Sequence, residues 1–167
     1  MKTADVKLFI AAVLLLAASV AKSRAADYKP DKYRCEIETA GVGANETFLY
    51  RVTCDIKKPQ MAEQTASECA VYGVVFKGCA AAGRNPAQTP LVKAESLSEE
   101  QIAYFDNFFG SEQYLKYVVD VARNNIKIIK TKKGYRAEAV VSVSKRRLRR
   151  DLEADGIIEK LGQMFEN

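Results

Sequence analysis

Phe48-Leu49-Tyr50-Arg51-Val52-Thr53-Cys54-Asp55-Ile56-Lys57 alternates along its whole length. Phe48, Tyr50, Val52, Cys54 and Ile56 fall on one side; Leu49, Arg51, Thr53, Asp55 and Lys57 fall on the other. A strand sends successive side chains to opposite faces, so this pattern predicts a strand buried on one face only. Tyr33 to Thr39 repeats it, with Tyr33, Cys35 and Ile37 opposed to Arg34, Glu36 and Glu38. Between the two lies Gly41-Val42-Gly43-Ala44-Asn45, rich in residues that tolerate positive φ. Residues 33–57 therefore read as a hairpin. Folding it about positions 44 and 45 pairs Cys35 with Cys54, Ile37 with Val52 and Thr39 with Tyr50, which sets apolar residues opposite apolar ones.

Downstream, Pro59 suits a first helical turn. Ala62, Ala66, Cys69, Ala70, Gly73 and Phe76 then recur at helical spacing. This stripe of small residues allows a close approach to a sheet. Residues 78–90 read as a loop from Gly78, Gly83, Asn85, Pro86 and Pro90. Ser98 and Gln101 form a capping-box pattern, with Leu97 and Ile102 as a hydrophobic staple, so a second helix starts there. Its apolar stripe is Ile102, Phe105 and Phe109, and Gly110 ends it. Ser111 is read as the cap of a short helix carrying Tyr114, Leu115 and Val118. Residues 125–144 form a second hairpin, in which Ile126, Ile128 and Ile129 lead into Thr131-Lys132-Lys133-Gly134. Tyr135, Ala137, Ala139, Val141 and Val143 then alternate with polar residues. A last helix buries Leu148 and Leu152 and stops at Gly156. Ile157, Ile158, Leu161 and Phe165 close the chain.

Hairpin, helices, hairpin, helix is a weak ββα repeat. Neither hairpin is stable alone. The predicted fold is α+β: a two-layer domain whose two hairpins merge into an antiparallel sheet of about four strands, with helices packed on one face.

The 167 residues divide into 1–25, 26–32 and 33–167. Lys2 and Lys7 precede an apolar run, Leu8 to Ala21, interrupted only by Ser19. That run falls short of the roughly 20 residues a spanning helix needs. It fits a signal peptide, with small residues at Ser23 and Ala25 framing a cut after Ala25, and Ser19-Val20-Ala21 offering an earlier site. Residues 26–32 form a flexible lead-in, and 33–167 a single domain. The expected location is periplasmic or secreted, with no transmembrane segment once the leader is gone. Lys+Arg is 26 against Asp+Glu 21, but the leader takes away Lys2, Lys7, Lys22, Arg24 and Asp5, leaving 22 against 20, a net +2. A nucleic-acid partner is not expected, because its basic footprint belongs on the folded domain.

There is no histidine. Ser/His and Cys/His catalysis and every His-ligated metal are thereby excluded. Phosphate-loop, dinucleotide and nucleophile-elbow motifs are missing as well, and no cofactor or metal is expected. Glu99 and Glu100 sit at a helix start, where the dipole accounts for them. The four cysteines are Cys35, Cys54, Cys69 and Cys79. Cys35–Cys54 with Cys69–Cys79 is the favoured disulfide pattern among three connectivities. Free buried thiols are the competing reading, and an all-Cys zinc site is a third, opposed by the wide spacing.

Two stretches are candidate partner surfaces. Tyr104, Phe108, Tyr114 and Tyr117 belong to an aromatic cluster that reads first as core; if its two helix faces cannot both be buried, one becomes an exposed patch of the kind that marks interfaces. Arg146, Arg147, Arg149 and Arg150 lie in Lys145-Arg146-Arg147-Leu148-Arg149-Arg150, a run suited to anionic head groups or glycan. Asp151, Glu153 and Asp155 follow and can instead pair with it along a helix. Asn45-Glu46-Thr47 is a glycosylation sequon in a loop.

The Gly134-Tyr135 strand, Val140-Val141-Ser142-Val143-Ser144, Leu148-Arg149-Arg150-Asp151-Leu152-Glu153, and the Ala-rich helix reaching Tyr72-Gly73-Val74-Val75-Phe76-Lys77-Gly78 give this chain a likeness. Its layout over residues 45–165 resembles the α+β domain at the amino end of TolB and of the flagellar-assembly protein FlgT, and related envelope lipoproteins. The resemblance implies a non-catalytic envelope domain that docks other proteins, although this chain lacks a lipidation cysteine. The function expected is a non-enzymatic exported module that binds an envelope protein or an anionic envelope component. A carboxylate-based hydrolase and a structural subunit of an envelope assembly are the alternatives.

Overall fold

The computed structural model describes residues 34–44 and 47–160. The leader, the lead-in, Asn45 of the sequon, Leu161 and Phe165 lie outside them. β1 (Cys35–Val42) and β2 (Phe48–Ile56) are antiparallel, and Cys35/Cys54, Ile37/Val52 and Thr39/Tyr50 are register partners, as the alternation predicts. Beyond Thr39 the register slips by one residue, and Gly41, at φ +139°, stands opposite Leu49. β5 (Gly134–Val143) pairs with β2 over nine residues and joins the two hairpins into one sheet. On the far side of β5, β3 (Val118–Val121) meets Val141 to Val143 and β4 (Lys127–Thr131) meets Gly134 to Glu138. Both lie along one edge, split by residues 122–126. The order is β1-β2-β5-β3, with β4 also on β5. The short helix expected through Val118 stops at Tyr117, and Val118 begins β3 instead.

One sheet face is apolar and buried: Ile37, Tyr50, Val52, Cys54, Ile56, Ala137, Ala139, Val141 and Val143. The other carries charge. Arg51 lies 4.0 Å from Glu38 and 3.6 Å from Glu138, and Arg136 lies 3.2 Å from Asp55. Such exposed pairs contribute about 0–1 kcal/mol each, so the buried face carries the fold.

A 3₁₀ turn (Pro59–Met61) opens α1 (Ala62–Tyr72), which widens into a π-helical turn (Gly73–Lys77). The buried Ala62, Ala66, Cys69 and Ala70 bring α1 close to β2 and β5. At Gly73 any Cβ would run into Ile37 Cδ1 of the sheet, so this helix tolerates only glycine there without a shift. α2 (Glu99–Gly110) has the capping box expected of it: Ser98 Oγ accepts from Gln101 N at 3.2 Å, and Ser98 N donates to Gln101 Oε1 at 2.8 Å. α3 (Lys145–Ala154) buries Leu148 and Leu152 completely. It ends at Gly156, φ +72°, whose N–H reaches Glu153 O while Ile157 N–H reaches Leu152 O. This double bond pattern satisfies the last free carbonyls, and the buried Ile157 seals it. Gln101 Nε2 then donates to Ile157 O at 2.7 Å, tying the start of α2 to the end of α3.

Candidate functional site

The aromatic set belongs to the core. Phe108, Tyr114 and Tyr117 are buried with Phe105 and Phe109, and Tyr104 is half-buried. Phe76, from the π-helical turn after α1, stacks edge-on against Phe105 at 4.8 Å, and Tyr117 lies 5.9 Å from Phe108, so both faces of α2 are covered. As an exposed patch, Phe108, Tyr114 and Tyr117 are therefore corrected to interior residues. Their polar tips have structural work instead: Tyr117 Oη donates to Asp151 at 3.1 Å and Tyr104 Oη to Asp155 at 2.9 Å. Burial pushes the Tyr114 and Tyr117 hydroxyls up to about 12, and Asp151 pushes Tyr117 the same way. The Tyr117 and Tyr104 hydroxyls, each donating to a carboxylate of α3 or its cap, hold α3 against its neighbours.

The basic run lies on α3 and is paired as the following acids allow. Arg149 binds Glu153 at 2.8 Å, while Arg147 and Arg150 approach Asp151 at 3.9 and 3.8 Å. Arg147 also lies over the Tyr117 ring. Arg146 is exposed and has an interaction of its own. Most of this charge is thus spent within the helix. Lys145, at the head of the run, turns inward. Its Nζ donates to Gln88 Oε1 at 3.0 Å and to Thr89 O at 3.2 Å, and the same Gln88 oxygen accepts from Tyr50 Oη at 3.0 Å. Burial lowers the Lys145 pKa, with Cys79 opposing and Arg149 reinforcing that shift.

The cysteines gather at one end of the α1–sheet junction, in a pairing other than the one expected. Cys35 bonds Cys69, with Cα atoms 6.2 Å apart, and Cys54 and Cys79 are buried thiols. The register between Cys35 and Cys54 is the one anticipated; the bond is not. Side chains directly across two strands keep their Cβ atoms about 4.5–5.5 Å apart, whereas a disulfide needs about 3.5–4.5 Å. The small stripe of α1 lets Cys69 come closer from above. Burial pushes both remaining thiols up to about 11, with Asp55 adding to Cys54 and Lys145 opposing at Cys79. Neither is a nucleophile at neutral pH. Beside them an open groove of about 520 Å³ is lined by Arg34, Glu36, Asp55, Lys77 and Arg136 among others, a mixture of both charges.

The unexplained surface lies on the opposite edge. Every residue of β4 is exposed, including Ile128 at 41% and Ile129 at 63%; Val42 at the end of β1, Val119 of β3, Met61 and Leu115 are exposed elsewhere on the surface. Ile128 pairs with Ala137 and so shares the helix-side face; Ile129 pairs with Arg136 on the charged face. Among the described residues only β5 pairs with β4, so its outer row of N–H and C=O groups faces outward. Lys127 reaches Glu138 at 3.8 Å; Lys130, Lys132 and Lys133 have no ion pair among the described residues. The sequence held a signal for this. Adjacent isoleucines in a strand point to opposite faces, so one of Ile128 and Ile129 had to leave the core.

The described residues contain no helix long and apolar enough to cross a membrane and no group of three or more metal-ligating side chains. An antiparallel α+β fold with an open, lysine-bordered edge is the class these features define. No family model, curated protein or solved structure matches the chain.

Proposed function

We propose that this chain is exported and works as a non-enzymatic binding module that docks a protein along its β3–β4 edge. The observation that carries the reading is the outer edge of β4, unpaired among the described residues, on a strand exposed along its whole length that sets Ile128 and Ile129 between lysines. An open strand edge is a template for pairing with another chain. Export draws support from the leader pattern at residues 1–25 and from the Cys35–Cys69 bond, since disulfides persist in oxidising compartments. The resemblance to docking domains of the envelope points the same way.

The test has two arms. Protein recovered from cells expressing the full chain is expected to begin at Ala26 by intact mass; retention of residues 1–25 contradicts export. A photo-crosslinking residue at position 129 is expected to give a discrete adduct in those cells, while one at Asp106, exposed on α2, gives none. Matching adduct patterns at the two positions contradict the assignment of the edge.

A further inference from the structure

Resting on that docking reading, we propose that the occupant of the β4 edge is an extended acidic segment of another protein. It adds as a further strand and presents two adjacent apolar residues flanked by carboxylates. Three observations converge on this.

The first is the ladder. β5 satisfies one side of β4, and the outer backbone groups of residues 127–131 point away from it with no partner among the described residues. Such a row is a template for another strand, and peptide recognition by strand addition uses it: backbone bonds supply affinity and alternate side chains supply selectivity.

The second is the side-chain order. Lys127-Ile128-Ile129-Lys130 places one isoleucine and one lysine on each face: Ile128 and Lys130 on the helix side, Lys127 and Ile129 on the charged side. An incoming strand reading acid, apolar, apolar, acid sets a carboxylate beside each lysine and an apolar side chain beside each isoleucine. Opposite-charge and apolar cross-strand pairs each contribute about 0.2–1 kcal/mol.

The third is charge. Lys130, Lys132 and Lys133 cluster at the β4–β5 turn and are exposed. A second copy of this chain brings the same lysines to the seam, so the edge repels itself while attracting an acidic partner.

The probe is a fluorescein-labelled peptide, Gly-Ser-Glu-Val-Val-Glu-Ser-Gly, titrated by anisotropy into protein recovered from cells expressing the full chain. Saturable binding is expected. It should weaken at least tenfold between 50 and 500 mM salt, as charge screening requires, and at least tenfold with proline in place of both valines, because one of two adjacent strand N–H groups must face the ladder. Lys127→Glu/Lys130→Glu is expected to lose the acidic peptide and to gain one with lysines in place of its glutamates; both substitutions lie on an exposed strand, and circular dichroism checks the fold. No saturation to 1 mM overturns the proposal. So does equal binding of the proline peptide, which would make the contact mere charge attraction. Self-association that the peptide does not relieve would assign the edge to a second copy, against the proposal. Adducts at position 129 in cells together with peptide failure would keep the docking reading and reject only the acidic occupant.

Discussion

Along β1, the outer strand edge meets the long loop. Thr39 N–H reaches Ala80 O, Ala80 N–H reaches Ile37 O, and the Thr39 hydroxyl lies against the carbonyls of Ala80, Asn85 and Pro86. Cys35 then fixes this strand to α1. Along β4, on the other side of the sheet, no loop, helix or disulfide of the described residues pairs with the outer edge. Both edges come from similar hairpins, so the hairpin does not decide which edge is finished. The segment that follows each one does: α1 and its loop return over β1, whereas β4 and β5 run directly into α3, which leaves from the far end of β5.

Breaking the finished edge should have the largest effect. Cys69→Ser removes a closed loop spanning 34 residues and is expected to cost about 3–4 kcal/mol in urea unfolding; a loss under 1 kcal/mol would show that β1 is held by its loop contacts alone. The buried thiols near that edge give a pH signature. Folding raises each from 9.0 to about 11, so the native chain keeps protons that the unfolded chain releases. Stability is full below pH 9 and falls as pH climbs through 11, by on the order of 2 kcal/mol for each thiol. Replacing Cys54 and Cys79 by Ala should flatten that decline between pH 9 and 11, read from urea midpoints.

Gly78→Ala acts on the loop itself. Gly78 sits at φ +73°, and a Cβ there would strike the Gln88 carbonyl that receives Cys79 N–H. A loss of about 1–3 kcal/mol is expected. On the open edge, Ile129→Thr should change stability by less than about 0.5 kcal/mol, as exposed substitutions do. A larger loss in thermal unfolding would mean that Ile129 is covered in the working protein.

Much of the architecture was legible because it follows from local rules. The period-2 face of residues 48–57 fixed β2 and its register with β1. Ser98 with Gln101 marked the start of α2, and Gly156 the end of α3. What could not be read depends on how elements lie over one another. Cys69 reaches Cys35 because of where α1 lies across the sheet, and no spacing along the chain encodes that placement. β3 escaped notice because four residues, Val118 to Val121, carry too little alternation to stand out. The aromatic cluster is ambiguous in sequence because two helix faces are apolar, and only the positions of Tyr72 and Phe76 against one and of Tyr117 against the other decide that both are buried.

Amide hydrogen exchange on the full chain, followed residue by residue, tests the contrast between the edges most directly. The hydrogen-bonded amides of Thr39 and Ala80 are expected to exchange slowly. In β4, the alternate amides that point away from β5 are expected to exchange at rates close to those of an unstructured chain. Slow exchange at those outward β4 amides would mean that another part of the molecule already pairs with this edge, and would contradict the account.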